Sequence, residues 1–113
     1  MANHRTGRVS EDIKRELTAL LRELKDPRVN GMLTVLRVDV SGDLSYAKVY
    51  ISAMEGIDTA RESVKGLAAA SGFIRRNIAD RLRLRKAPEL KFIADDSIEY
   101  GINIAKKLED INK

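Results

Sequence analysis

Apolar residues recur at helical spacing in four segments of the chain. In the first, the apolar positions after Ile13 fall at offsets of four, seven, eight and eleven, which places them on one face of a helix. Ser10 is positioned to cap this helix, because a serine hydroxyl accepts a hydrogen bond from the first free backbone N–H groups. Asp26-Pro27 predicts its end, since proline disfavours helical geometry in the residue before it.

The apolar period changes to two after the first helix. Alternate residues from Thr34 to Val40 predict the inward face of one strand, and alternate residues from Ala47 to Ala53 predict a second. Ser41-Gly42-Asp43 between them has turn chemistry, so we predict an antiparallel hairpin. Tyr46 and Tyr50 share its outward face.

The second half of the chain predicts two helices, a strand and a last helix. The first of these helices is capped by Asp58 or Thr59, and the Ala70-Ser71-Gly72 sequence predicts a kink, because glycine weakens a helix and serine offers a competing hydrogen bond. The next helix is expected from about Gly72 to Arg85, followed by a short strand. A final helix, capped by Asp95 or Asp96, is expected to turn four residues inward: Ile98, Ile102, Ala105 and Leu108.

The predicted order is therefore α-β-β-α-α-β-α in a single domain spanning 1–113. Helices packed on one face of a three-stranded sheet make an α+β fold, and the βααβ centre resembles a K-homology (KH) domain of the second topological type. Residues 1–7 are expected to be a flexible N-terminal segment, and residues 109–113 a frayed C-terminus.

The amino-acid composition limits the kinds of catalytic and metal site that this chain can form. The 113 residues include no cysteine, which excludes disulfides and cysteine–zinc sites. The single histidine, His4, has no acid or nucleophile near it in sequence, and Asp95-Asp96 fits helix capping better than metal binding. Phosphate-binding glycine motifs are missing as well. We expect a non-enzymatic protein without metal or cofactor. No apolar run approaches a membrane span, so we expect a cytoplasmic protein.

Positive charge is concentrated in two blocks of the chain, residues 1–37 with +3 and residues 71–91 with +5. The net charge is +4, yet residues 75–86 alone carry six cations against one acid, Asp80. Intrahelical ion pairs cannot neutralise such an excess, and concentrated positive charge attracts polyanions through counterion release. We therefore predict phosphate contact by the six residues of this cluster: Arg75, Arg76, Arg81, Arg83, Arg85 and Lys86.

Three alternatives stay open from the residues alone. Arginines can simply solvate a helix and cover apolar surface with their stems. Tyr46 and Tyr50 flank Lys48 on one strand face, a pattern that could stack unpaired bases. A face containing Arg37, Lys48 and Tyr50 could instead dock a protein. The alternative function is a generic KH-like binder of single-stranded nucleic acid. A typical KH domain clamps nucleotides with a GXXG loop, and the absence of GXXG from this chain counts against binding in that way.

Five segments in order resemble bacterial ribosome-binding factor A. They are RVSEDIKREL at 8–17, KDPRV at 25–29, TVLRVDVSGDLSYAKVYIS at 34–52, SGFIRRNIADRLRLRKAPEL at 71–90 and FIADDSI at 92–98. The resemblance covers essentially the whole chain. It also accounts for the missing GXXG, since that family carries an Ala-x-Gly kink, here Ala70-Ser71-Gly72.

The resemblance implies an assembly factor that binds the small (30S) ribosomal subunit and 16S ribosomal RNA. It implies support of late subunit maturation and of 16S 5′-end processing, with a role in cold adaptation, and a ribosome-associated GTPase as a further partner. By position, the kinked helix pair and its arginines would face RNA, and Arg5 and Arg8 would add a flexible arm. We expect a monomer.

Overall fold

The computed structural model describes residues 4–24, 29 and 31–95. Three helices and a three-stranded sheet make up this part of the chain, which is the α+β architecture that the sequence predicts. Their bounds are α1 His4–Glu23, β1 Leu33–Val40, β2 Tyr46–Ala53, α2 Ile57–Ala69, α3 Ser71–Leu82 and β3 Glu89–Ala94. The predicted last helix and the predicted frayed terminus at 109–113 lie outside the described residues.

Helix α1 begins at His4, six residues before the predicted cap at Ser10. The predicted start is wrong because no proline precedes Ser10, so the helix continues through it towards the N-terminus. The predicted apolar face is correct, since Ile13 and Leu17 are fully buried. Residues 4–7 belong to α1, and the flexibility expected of residues 1–7 stays a prediction.

Strands β1 and β2 form the predicted antiparallel hairpin. A carboxylate organises its turn: the Asp43 Oδ1 accepts hydrogen bonds from the hydroxyls of Ser41 and Ser45 at 2.7 Å each, and from the Ser45 N–H at 3.1 Å. These bonds stabilise the charged form, with the Ser41 hydroxyl contributing most, and lower the pKa of Asp43 to about 2. Leu44 takes a left-handed conformation, with φ 63°, to close the turn.

Strand β1 contains an irregularity that strict alternation cannot predict. Val35 and Arg37 pair with consecutive residues of β2, so Leu36 has no partner and forms a bulge. The bulge reverses which residues face inward: Val35 is buried, as is Val38 beyond it, whereas Thr34 is exposed. The prediction that Thr34 faces inward is therefore wrong.

Strand β3 joins the sheet on the other side of β2. The order is β1-β2-β3, and β3 runs parallel to β2, with Tyr46 opposite Glu89. The Glu89 N–H donates to the Ser45 carbonyl at 2.9 Å, which fixes the start of β3 beside the hairpin turn. A parallel pair requires a crossover connection, and here α2 and α3 supply it.

All three helices pack on one face of the sheet. From α2, Ala60, Gly66 and Leu67 are buried, and from α3, Ile74 and Ile78 are buried. They meet a strand face whose buried members are Val35, Val38, Ala47, Val49, Ile51, Leu90 and Phe92. No helix in the described part of the chain is long and apolar enough to cross a membrane.

Candidate nucleic-acid interface

The break between α2 and α3 is a single residue. Ala70, with φ −93° and ψ 9°, lies outside both helices, and Ser71 and Gly72 already belong to α3. The Ala70 N–H donates to the carbonyls of Gly66 and Leu67, and its own carbonyl accepts from the Ile74 N–H at 3.0 Å. The chain therefore changes direction at Ala70 while its backbone groups remain bonded.

Helix α3 ends earlier than the sequence predicts. Its last residue is Leu82 rather than Arg85, and Arg83 takes the left-handed conformation with φ 52° and ψ 43°. The Leu84 N–H then donates to the Ala79 carbonyl at 2.8 Å, and the Arg83 N–H donates to the Asp80 backbone carbonyl at 3.3 Å. These two hydrogen bonds are those of a Schellman C-cap. Arg83, Arg85 and Lys86 therefore follow α3 and do not share its exposed side with Arg76.

Arg75 is half-buried and bonded within the protein. Its Nη2 donates to the Ala87 carbonyl at 3.1 Å, across the loop that leads into β3. Its Nε is buried and has no hydrogen-bond partner among the described residues. This contact positions the chain that enters β3, so the guanidinium is directed towards the protein.

Arg81 joins α3 to α1. Its Nη2 donates a hydrogen bond to the Glu23 carboxylate at 2.5 Å, and its Nη1 forms an ion pair with the Glu16 carboxylate at 3.7 Å. Both acids lie on one face of α1. The hydrogen bond to Glu23 is the main reason that the pKa of Arg81 is raised, and the charges of Glu23 and Glu16 add to it. Only 27% of the side chain is exposed. Arg81 therefore has a structural role in the free protein.

The remaining four cations of the cluster point to solvent. Arg76 lies on the exposed side of α3, and the other three follow its C-terminus: Arg83, Arg85 and Lys86. None of the four forms an ion pair with another described residue. As far as the described residues show, their donors are available to an external anion.

Of the two N-terminal cations, Arg8 lies on a different helix from this group. Arg8 is exposed on the first half of α1, and the Arg5 side chain lies outside the described residues. At 1.5 Å per residue, Arg8 is about 12 Å along the helix from Glu16 and about 22 Å from Glu23. Arg8 thus lies well away from the part of α1 that contacts α3.

The open face of the sheet is less available for base stacking than the sequence indicates. The Arg37 guanidinium lies over the Tyr50 ring, 4.2 Å from its centroid, and its Nε bonds Asp39 at 3.2 Å. These contacts raise the pKa of Arg37, the bond to Tyr50 most of all. One ring face of Tyr50 is therefore covered, while Lys48 between the two tyrosines is exposed.

Sequence reasoning missed Phe73 in the first turn of α3. Phe73 is 48% exposed. Among the described residues, it is one of three large hydrophobic residues that are exposed. The signal was available, since Phe73 lies about 100° around the helix from Ile74, off the stripe formed by Ile74, Ile78 and Leu82.

Comparison with known proteins decides the family. A family model described as ribosome-binding factor A matches residues 5–108. The ribosome-binding factor A of Clostridium tetani is 42% identical, over 100% of this chain and 94% of that protein. The chain belongs to the ribosome-binding factor A family. Membership confirms the resemblance found in the five sequence segments.

Solved structures of ribosome-binding factor A share the fold. The crystal structure from Thermus thermophilus gives a TM-score of 0.68 at 29% identity, covering 79% of this chain and 94% of that one. A model of the Thermus thermophilus factor, fitted into a cryo-electron-microscopy map of a 30S–factor complex, gives 0.59 at 28% identity, covering 82% and 93%. Both likenesses support the α+β fold with its three-stranded sheet.

Proposed function

We propose that this chain is a non-enzymatic assembly factor that binds the 30S subunit through the α2–α3 break and the exposed cations of α3 and its following loop. The observation that carries the proposal is a group of four exposed cations that form no ion pair with another described residue, in a chain of the ribosome-binding factor A family. A relative from Thermus thermophilus has been fitted into the map of its complex with the 30S subunit.

Charge gives this surface its affinity for RNA. Each phosphate neutralised by a lysine or arginine releases counterions, and contributes a slope of roughly −0.7 to −0.9 to the dependence of log K on log salt. Four contacts by Arg76, Arg83, Arg85 and Lys86 would give a slope of roughly −3. Arg75 and Arg81 are left out of this estimate because their guanidinium groups bond within the protein.

The fold we propose is a KH-like domain of the second type, spanning 1–113, with Ala70-Ser71-Gly72 in place of GXXG. The described order of elements, α1-β1-β2-α2-α3-β3, supports it, as does a sheet with one antiparallel and one parallel pair. A junction without GXXG lacks the close backbone clamp for four nucleotides, which favours a folded RNA surface over a threaded single strand.

In the cell, such binding would favour one conformation of the maturing subunit. A ligand shifts an equilibrium only by its differential affinity for the two states, so the factor binds free or immature 30S subunits more tightly than translating ribosomes. We extend the proposal to 16S 5′-end processing, growth in the cold, release by a ribosome-associated GTPase and a monomeric state, on the strength of the family alone.

Co-sedimentation with purified 30S subunits and with 70S ribosomes, over a series of KCl concentrations, tests the proposal. The wild-type protein should pellet with 30S in preference to 70S, and R76A/R83A should bind 30S more weakly with a slope reduced by about 1.5 to 2. Thermal unfolding of the variant checks that its fold is retained.

A matched control removes two cations from the opposite side of the sheet. Lys48 and Lys91 are exposed there and stand opposite each other on β2 and β3. K48A/K91A changes the net charge by the same amount as R76A/R83A, and should leave both affinity and slope close to the wild-type values. If K48A/K91A lowers the slope and R76A/R83A does not, the sheet face binds RNA and the proposed surface is wrong.

A further inference from the structure

Four exposed residues without charge surround the α2–α3 break. Ala68 and Ala69 end α2, Gly72 and Phe73 lie in the first turn of α3, and all four are exposed. We name this group the junction surface. Its composition contrasts with the rest of α3, where the exposed side chains are charged.

Exposure of Phe73 is informative because of its neighbours. Single exposed hydrophobic residues are common and need no explanation, as for Met32 and Met54 here. Phe73 differs because the exposed residues beside the break, Ala68, Ala69 and Gly72, have small side chains or none, and because Arg76 lies one turn further along the same side of the helix. A flat aromatic surface beside an unpaired cation is how proteins hold a base or ribose next to a phosphate.

Close packing does not require glycine at position 72. A Cβ at this position would meet nothing within 4 Å, and the residue has no positive φ. Glycine nonetheless weakens a helix relative to alanine. The absent side chain leaves room at the break for close approach of a molecule outside the chain.

We propose that the bound RNA lies directly against the junction surface, with the Phe73 ring packed on a base or ribose and the missing Gly72 side chain making room for the RNA backbone. The inference rests on the proposed function, and adds to it a contact that is independent of charge. RNA is favoured over a protein because the unpaired exposed cations Arg76 and Arg83 lie beyond Phe73, whereas Asp80 is the only acid in α3.

Binding to purified 30S subunits over a series of KCl concentrations separates this contact from the electrostatic one. F73A should weaken binding about 10-fold at every salt concentration and leave the salt slope unchanged, because aromatic stacking involves no counterion release. F73L keeps the apolar volume without the aromatic ring, and should lose most of the same affinity. R76A should reduce the slope by about one.

Gly72 offers a test in which stability and binding move in opposite directions. G72A should raise the melting temperature, because alanine favours the helix and has open space around it, and should weaken 30S binding. G42A is the control: a Cβ there also meets nothing within 4 Å, but Gly42 lies in the hairpin turn, so binding should be unchanged.

Ultraviolet crosslinking of the wild-type complex identifies the molecule that meets the surface. The expected adduct joins the peptide containing Phe73 to 16S ribosomal RNA. A crosslink from that peptide to a ribosomal protein alone would overturn the inference, as would wild-type affinity in F73A and G72A while R76A still lowers the slope. In that last case the proposed function stands. If the wild-type protein does not bind 30S subunits, the proposed function itself is wrong.

Discussion

Neighbouring arginines of α3 have different partners because a helix turns about 100° per residue. Arg75 points to the loop before β3 and donates to the Ala87 carbonyl, whereas Arg76 points to solvent. Arg83 differs from both because it lies after the helix. Its left-handed backbone ends α3 and turns the following chain towards β3. Residue type alone therefore does not determine which cation can reach RNA.

Asp43 provides a residue-scale prediction of pH dependence. Its pKa of about 2 in the folded protein is below the ordinary value of 3.8, so the stability it contributes is complete above about pH 4 and is lost as the pH falls towards 2. D43N removes the charge and keeps the side-chain shape. We expect D43N to lower the free energy of unfolding at pH 6, by an amount that shrinks between pH 4 and pH 2, as measured by urea denaturation.

Urea denaturation of D43N in an S41A background tests whether the Ser41 hydroxyl is the reason for the low pKa of Asp43. S41A removes the hydroxyl that contributes most to the low pKa of Asp43, so D43N should have a smaller effect in S41A than in the wild-type protein. An equal loss at pH 6 and at pH 2 would mean that the charge of Asp43 does not stabilise the turn.

At the scale of elements, α1 and α3 are held together by apolar packing and by one arginine. Ile13 and Leu17 of α1 share the core with Ile74 and Ile78 of α3. At the edge of this packing, Arg81 forms ion pairs with both Glu16 and Glu23. The ion pairs lie partly exposed, which limits their energy, so apolar packing is the larger part of this contact.

Arg81 should therefore behave differently from its exposed neighbours. We expect R81A to lower the melting temperature, because two carboxylates of α1 lose their partner, and to leave the salt slope of 30S binding at the wild-type value. R76A should do the reverse, with little change in melting temperature and a smaller slope. A fall in the slope of R81A matching that of R76A would show that Arg81 contacts RNA.

Across the whole molecule, the sequence predicts what depends on nearby residues. The hairpin follows from alternation around a short turn, and the helix break from Ala70-Ser71-Gly72. The partner of Arg81 could not be predicted, because Glu23 is 58 residues away in sequence. The bulge at Leu36 was equally hidden, since it depends on the register with β2 rather than on the residues of β1.

The parallel pairing of β2 with β3 has a consequence for the order of folding. Five residues separate β1 from β2, whereas residues 54–88 separate β2 from β3. Closing the longer loop costs about 2 kcal/mol more in chain entropy, and this cost must be met before β3 pairs with β2. In pulse-labelling hydrogen exchange, the amides of the hairpin should gain protection before those of β3; simultaneous protection would contradict this order. On the ribosome, the sheet of a nascent chain then stays incomplete until Ala94 has left the exit tunnel.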